Sequence, residues 1–301
     1  MSDSSAVQMP SGPALWVMAA RPKTLWAAVA PVLLGTAFAV EAGGFHAVAA
    51  LSALMAAVLI QVGTNFSNDY HDYVKGADTK DRKGPTRVTQ AGLIRPEAVR
   101  RAAVVTFGLA FAAGLYLIAR GGWPILVIGV ASILFGVLYT AGRYSLAYLG
   151  LADLFVLVFF GPIAVAGTYY VQALDVTPVV VLAGFGPGFL ATAILLVNNV
   201  RDVDEDRAAG KKTLVVRWGR PAGVALYGGC IAGAALVVLV TALVVENHWP
   251  AVAAVGVVPF GARVMRRLRD ERDARALNPL LGTTSKLLLV YCILFGIGWM
   301  L

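Results

Sequence analysis

Two stretches of the chain place oxygen-bearing side chains at the spacing that a cation uses. In NDYHD, Asn68 and Asp72 lie four residues apart, and in DVDED, Asp202 and Asp206 do the same. Residues i and i+4 of a helix share a face. Two bare carboxylates on one face repel, and a divalent cation reverses the sign of that interaction. Mg²⁺ takes oxygen ligands, keeps several waters, and is commonly shared between one or two carboxylates and substrate phosphates. Two such half-sites facing each other would hold a Mg²⁺-bound diphosphate through Asn68, Asp72, Asp202 and Asp206, with Mn²⁺ as the alternative ion. Asp69 falls on an adjoining face, Asp204 points elsewhere, and His71 is out of phase with the Asn68/Asp72 face.

Bases follow each acidic segment. Arg82, Lys83 and Arg87 come after the first, and Lys211 and Lys212 after the second. Guanidinium and ammonium groups bind phosphate oxygens and offset the charge of an anionic leaving group. Tyr139 and Arg143, in YTAGR, could contact the same diphosphate or serve as an interfacial anchor pair. Asp153, in GLADLFVLVFFG, sits just inside an apolar run, where an acid is costly; it either serves the substrate or caps a helix.

The elements that must carry these residues are membrane helices. The chain has 301 residues, is 58% hydrophobic and only 14% charged, and has a mean hydropathy of +0.74. A globular domain carries about 25% charged residues. Apolar runs long enough to span number about nine, at 24–42, 46–67, 98–119, 123–141, 148–170, 177–199, 222–245, 249–264 and 284–301. The pattern predicts an all-α, multispanning membrane bundle forming one domain, 1–301. Its mostly polar 1–20 segment and its loops at 68–97, 200–221 and 264–286 face the cytoplasm. With the N-terminus inside, every lysine and arginine but Arg120 falls on the cytoplasmic side, which sets the orientation and leaves the C-terminus outside. The basic balance of +8 is then a topology signal in a cell (inner or plasma) membrane and needs no nucleic-acid partner. The cluster Arg263 to Arg275 reads as a helix near anionic headgroups. Cys230 and Cys292 lie in apolar runs and suggest small buried residues, not a disulfide or metal framework. The first residues lack the basic start and short apolar core of a cleavable signal.

The two acidic segments also form a weak repeat. TNFSNDYHDYVKGADTKDRKGPTR and LLVNNVRDVDEDRAAGKKTLVVRWG both run from apolar helix through Asn and acidic residues to Gly and bases, four spans apart. Two related halves would then face one site on the cytoplasmic side. A secondary transporter also has related halves, but it would place ionisable groups near the bilayer midplane. A structural scaffold would have no use for ligand-spaced acids.

These stretches together resemble the UbiA superfamily of intramembrane aromatic prenyltransferases. That family pairs an N-D-x-x-D segment after its second helix, here Asn68 to Asp72, with a D-x-x-x-D segment after its sixth, here Asp202 to Asp206. Its Y-x-x-x-K element stands here as Tyr139 to Arg143, with Arg for Lys. A further family aspartate is replaced by Gly76, and Asp78 lies two residues beyond it. ARPKTL at 20–25, with the segments at 68–87, 139–161 and 198–219, resembles the branch acting on 1,4-dihydroxy-2-naphthoate in menaquinone synthesis.

The resemblance implies transfer from a polyprenyl diphosphate to that aromatic acceptor, with loss of CO₂ and diphosphate. Asn68, Asp72, Asp202 and Asp206 would hold the metal, and Arg87, Arg143 and Lys211 would contact the diphosphate. Asp69 and Asp78 would support ligands or align the ring, and Asp153 would bind ring hydroxyls or take a proton. Sibling enzymes with a 4-hydroxybenzoate, homogentisate or haem acceptor would share the same acids. Isoprenoid length and oligomeric state are left open by the sequence.

Overall fold

The computed structural model describes residues 12–77, 82–142, 145–245 and 248–301. Helix α1 (Gly12–Ala20) leads into α2 (Pro22–Glu41), α3 (Ala47–Val74), α4 (Pro96–Gly121) and α5 (Trp123–Leu138). The short α6 (Leu146–Leu149) precedes a broken span of α7 (Ala152–Val158), a π turn (Phe159–Ile163) and α8 (Ala164–Ala173). Then come α9 (Pro178–Arg201), the short α10 (Val203–Ala208) and α11 (Leu214–Trp218), and α12 (Arg220–Leu239). A 3₁₀ segment (Trp249–Val257), α13 (Val258–Asp270) and α14 (Asn278–Met300) complete the chain. There is no strand among the described residues.

Seven helices among the described residues are long and apolar enough to cross a membrane, and Trp123–Leu138 is a shorter apolar helix. The chain is a multi-pass, all-α membrane protein. The 249–264 run is the exception among the expected spans, because it divides between a 3₁₀ segment and the basic amphipathic helix α13. The regions expected as loops hold more helix than the sequence suggested. Helix α3 runs on to Val74, α10 and α11 fill much of 200–221, and α14 begins at Asn278. The 1–20 segment likewise ends in a helix, over Gly12–Ala20. Proline stands in the first turn of α2, α4, α9, α12 and α14, where its missing N–H is no loss and its fixed φ suits a helix start.

Helix α9 is the centre of the bundle, packed against α12, α14 and the α7–π–α8 span. The core joins Leu34 and Phe38 of α2 to Leu190 and Leu196 of α9 and to Leu288 and Phe295 of α14. Pro162 breaks the α7–α8 span, with Gly161 at φ −107°, ψ −114°. Gly184 and Gly188 of α9 lie against that break, and a β-carbon on Gly184 would come within 2.5 Å of the Pro162 Cα. Small residues let the two backbones touch, as membrane helices commonly require. Buried hydroxyls tie the far helices together: Tyr291 donates to the Ala234 carbonyl at 2.8 Å, and Tyr227 pairs with Thr284 at 3.1 Å. Helix α3 is the opposite of α9, since most of its apolar stretch is not buried by protein and is left to lipid.

Candidate active site

A cavity of about 660 Å³ enters the bundle from the end where α3, α5 and α9 finish. Asn68, Asp72, Arg87, Asp202, Asp206 and Lys211 gather at its polar end. Tyr139 lies on the same wall. The two acidic segments therefore share one space, although they are far apart in the chain.

The first segment is a helix end that turns inward. Asn68, Asp69 and Asp72 are all buried, unlike the apolar turns before them. Thr140 donates to the Asn68 Oδ1 at 2.9 Å and ties the end of α5 to α3. Lys75, just past α3, donates to the carbonyls of Thr140 and of Gly142, the latter at 2.7 Å. A cation there satisfies carbonyls left open at the end of α5. Arg87 Nη2 meets Asp72 Oδ2 at 3.2 Å, with both side chains buried. The other Asp72 oxygen, Oδ1, is buried without a hydrogen-bond partner among the described residues. Asp69 does different work. Its carboxylate accepts the backbone N–H groups of Val88 at 3.2 Å and Thr89 at 3.3 Å, so it fixes the loop that carries Arg87 and is not on the cavity wall.

The second segment begins where α9 stops. Arg201 donates to both oxygens of Asp202, each at 2.6 Å. Asp206 follows one turn later and pairs with Lys211 at 3.0 Å. Burial raises the Asp206 carboxyl above the ordinary aspartate range, and Lys211 offsets this only in part. Burial works to lower the Lys211 ammonium, but Asp206 and Asp72 outweigh it and hold the proton on more firmly than usual. Asp204 is exposed and, among the described residues, its ion pair is with Arg207 at 3.3 Å.

Below the polar end the cavity is apolar and aromatic. Phe135, Phe155 and Phe159 line it, with Phe155 and Phe159 stacked at 4.0 Å and Phe135 at 4.4 Å from Phe155. The lining continues to Leu117, Ile125 and Val171, beside the α4–α5 turn. From Tyr139 to Ile125 along α5 is about 20 Å at the helical rise. The arrangement suits a long amphipathic ligand with an anionic head.

Among the residues singled out from sequence, Asn68, Asp72, Arg87, Tyr139, Asp202, Asp206 and Lys211 are brought together. Asp153 is buried in the first turn of α7, with neither carboxylate oxygen hydrogen-bonded among the described residues, and it is not among the residues that line the cavity, although its neighbours Ala152 and Phe155 are. Asp78 and Arg143 lie outside the described residues. Lys83 and Lys212 are not on the wall, whereas Arg82 is. Sequence reasoning did not single out Arg201, Lys75, Thr140 or the Phe155–Phe159 pair. Only the last carried a signal, two aromatics four apart in FVLVFFG. Arg21 also lines the polar end. Its φ of 54° is unusual for a side-chain-bearing residue, and it sits where α1 turns into α2, held by Asn65 donating to the Ala20 carbonyl at 2.9 Å.

The model of the UbiA prenyltransferase family matches residues 28–298. The chain belongs to that family. Among UbiA-family relatives, it is 38% identical over 293 residues to the 1,4-dihydroxy-2-naphthoate octaprenyltransferase of Escherichia coli (strain K12), covering 94% of each chain. It is also 38% identical over 283 residues to the enzyme of that name from Mycobacterium tuberculosis (strain H37Rv), covering 93% of this chain and 94% of that one. The UbiA fold itself is shared with a UbiA homolog from Archaeoglobus fulgidus solved bound to GPP and Mg²⁺. The TM-score is 0.67 at 16% identity, over 93% of this chain and 99% of that one.

Proposed function

We propose that this protein transfers a polyprenyl group from polyprenyl diphosphate to 1,4-dihydroxy-2-naphthoate, releasing diphosphate and CO₂ and giving demethylmenaquinol. The observation that carries the reading is the cavity's polarity: paired acids and bases at one end, stacked aromatics next, and an apolar channel beyond. The acceptor is drawn from the names of relatives that align over nearly the whole chain.

Asn68, Asp72, Asp202 and Asp206 would hold a divalent ion, taken as Mg²⁺ with Mn²⁺ as the alternative. The residues fit it. The donors are all oxygens, and Asp72 Oδ1 is a buried acceptor without a hydrogen-bond partner among the described residues. No three His, Cys, Asp or Glu side chains converge among the described residues. An ion held here would be completed by substrate phosphates and waters. When bound, the ion supplies charge neutralisation and orientation for the diphosphate.

The chain's own groups do the rest. Arg87 and Lys211 stand beside the acids and bind diphosphate oxygens as charge builds on the leaving group. Phe155 and Phe159 line the cavity as a stacked pair and supply the π-surface that would stabilise an allylic cation. The enclosing helices keep out water, which would quench that cation. Arg143 is assigned to the diphosphate with them, and Asp78 to alignment of the acceptor. Asp153, buried next to the lining residue Ala152 with both carboxylate oxygens unbonded among the described residues, is assigned to the acceptor's hydroxyls or their proton. The charge asymmetry supports an orientation in a cell membrane with the N-terminus and the cavity mouth cytoplasmic and the C-terminus outside, and we assign 1–301 to one domain.

The test uses membranes carrying the chain, an allylic polyprenyl diphosphate and Mg²⁺. 1,4-Dihydroxy-2-naphthoate and 4-hydroxybenzoate are supplied in parallel, with an EDTA control. The expected product is a decarboxylated, prenylated naphthoquinol that disappears in EDTA. Product from 4-hydroxybenzoate alone would move the protein to the sibling reaction.

A further inference from the structure

One residue of the first loop, Lys83, is held through both its backbone N–H and its backbone carbonyl by the second half of the molecule. The Lys83 N–H donates to Glu205 Oε1 at 2.8 Å. Asn278 Nδ2 donates to the Lys83 carbonyl at 3.0 Å, across 195 residues of chain. Asn278 Oδ1 accepts from Arg201 Nη1 at 3.0 Å, and Arg201 holds Asp202. The next residue is Gly84, where a β-carbon would sit 3.0 Å from a guanidinium nitrogen of Arg201. The loop backbone therefore lies directly on the side chain that orients Asp202. Arg82, Pro85, Thr86 and Arg87 of this loop form one wall of the cavity's polar end.

We propose that Asn278 and Glu205 are positioning residues that clamp the 82–87 wall against the second acidic segment, and that this clamp keeps water off the reacting end of the prenyl donor. The inference rests on the prenyl-transfer reading above. The wall is loop, not helix, so its order depends on such tertiary hydrogen bonds. If the wall opens, water competes with the acceptor. Its oxygen bonds to the allylic carbon as the carbon–oxygen bond to diphosphate breaks, and its proton passes to the diphosphate. The products are a prenyl alcohol and free diphosphate.

The test uses the full chain in membranes and in detergent, with two readouts. One is the ratio of prenyl alcohol to prenylated acceptor. The other is the rate of tryptic cleavage after Arg82 and Lys83. Asn278→Ala and Glu205→Ala each remove one bond to the Lys83 backbone, and each is expected to raise both readouts about ten-fold. Glu205→Gln keeps an acceptor for the Lys83 N–H and keeps the wild-type ratio. Asn278→Asp keeps the acceptor for Arg201 but cannot donate to the Lys83 carbonyl, so it follows Asn278→Ala. An Asn278→Asp protein with the wild-type ratio would overturn the clamp and assign Asn278 to Arg201 alone. Unchanged cleavage in both alanine variants would overturn it as well. Cleavage requires no acceptor, so it decides the clamp even where the acceptor assignment fails.

Discussion

In the first acidic segment the helix runs unbroken past its carboxylates to Val74, whereas in the second it stops at Arg201 and restarts at Val203. The first segment is completed from a distance. Arg87 reaches Asp72 from fifteen residues away, Thr140 reaches Asn68 from seventy-two, and the backbone at Val88 and Thr89 closes on Asp69. The second is completed locally, by Arg201 beside Asp202 and Lys211 beside Asp206. Their helices differ in the same sense, because α9 is enclosed by protein and α3 largely is not. A central helix can carry a half-site whose carboxylates are paired by near neighbours in the chain. A peripheral one needs loops folded back over it to exclude water and bring in charge. Similar half-sites can thus be built by opposite means, and damage to each should be felt differently.

The largest effects should come where the halves are alike. Asp72→Asn and Asp206→Asn are each expected to lower turnover about 10²–10³-fold, the scale of losing one preorganised electrostatic contact to the leaving group. Assays in membranes at matched protein abundance check this, and near-wild-type turnover in either variant would break the equivalence. Next is the arginine that pairs with Asp202 in the second half. Arg201→Ala should raise the Mg²⁺ concentration for half-maximal transfer about 10–100-fold, as loss of a ligand's supporting contact does. A Mg²⁺ titration on EDTA-stripped membranes reads it.

The first half should instead fail through its loop. Asp69→Ala strands two backbone N–H groups that a carboxylate now satisfies, for a loss of about 2–3 kcal/mol. Thermal unfolding in detergent should show a lower midpoint, with an increase in KM for the prenyl donor as Arg87 loses its support. An unchanged midpoint would mean that the loop holds without Asp69. The smallest effect marks the limit of the acidic motif: Asp204→Asn, at an exposed pair, should stay within about twofold of wild-type activity.

The i, i+4 spacing of Asn68/Asp72 and Asp202/Asp206 was legible because helical phase is a local property. The membrane class and most spans were legible for the same kind of reason, since apolar length follows directly from order along the chain. The Lys211 partnership could be anticipated, being only five residues from Asp206. The role of Asp69 could not. Nothing local distinguishes a carboxylate facing a ligand from one capping backbone at Val88 and Thr89.

Sequence alone therefore determined the residue types, their helical faces and the polarity of the spans, because each depends on neighbours within a few turns. The repeat already pointed to one shared site, but only the tertiary structure decided that Phe155 and Phe159 line its cavity and that Asn278 reaches Lys83 across most of the chain. Those contacts depend on helix packing, where glycines at 161, 184 and 188 set how closely backbones approach. That distance is a property of pairs of helices and is written in neither one by itself.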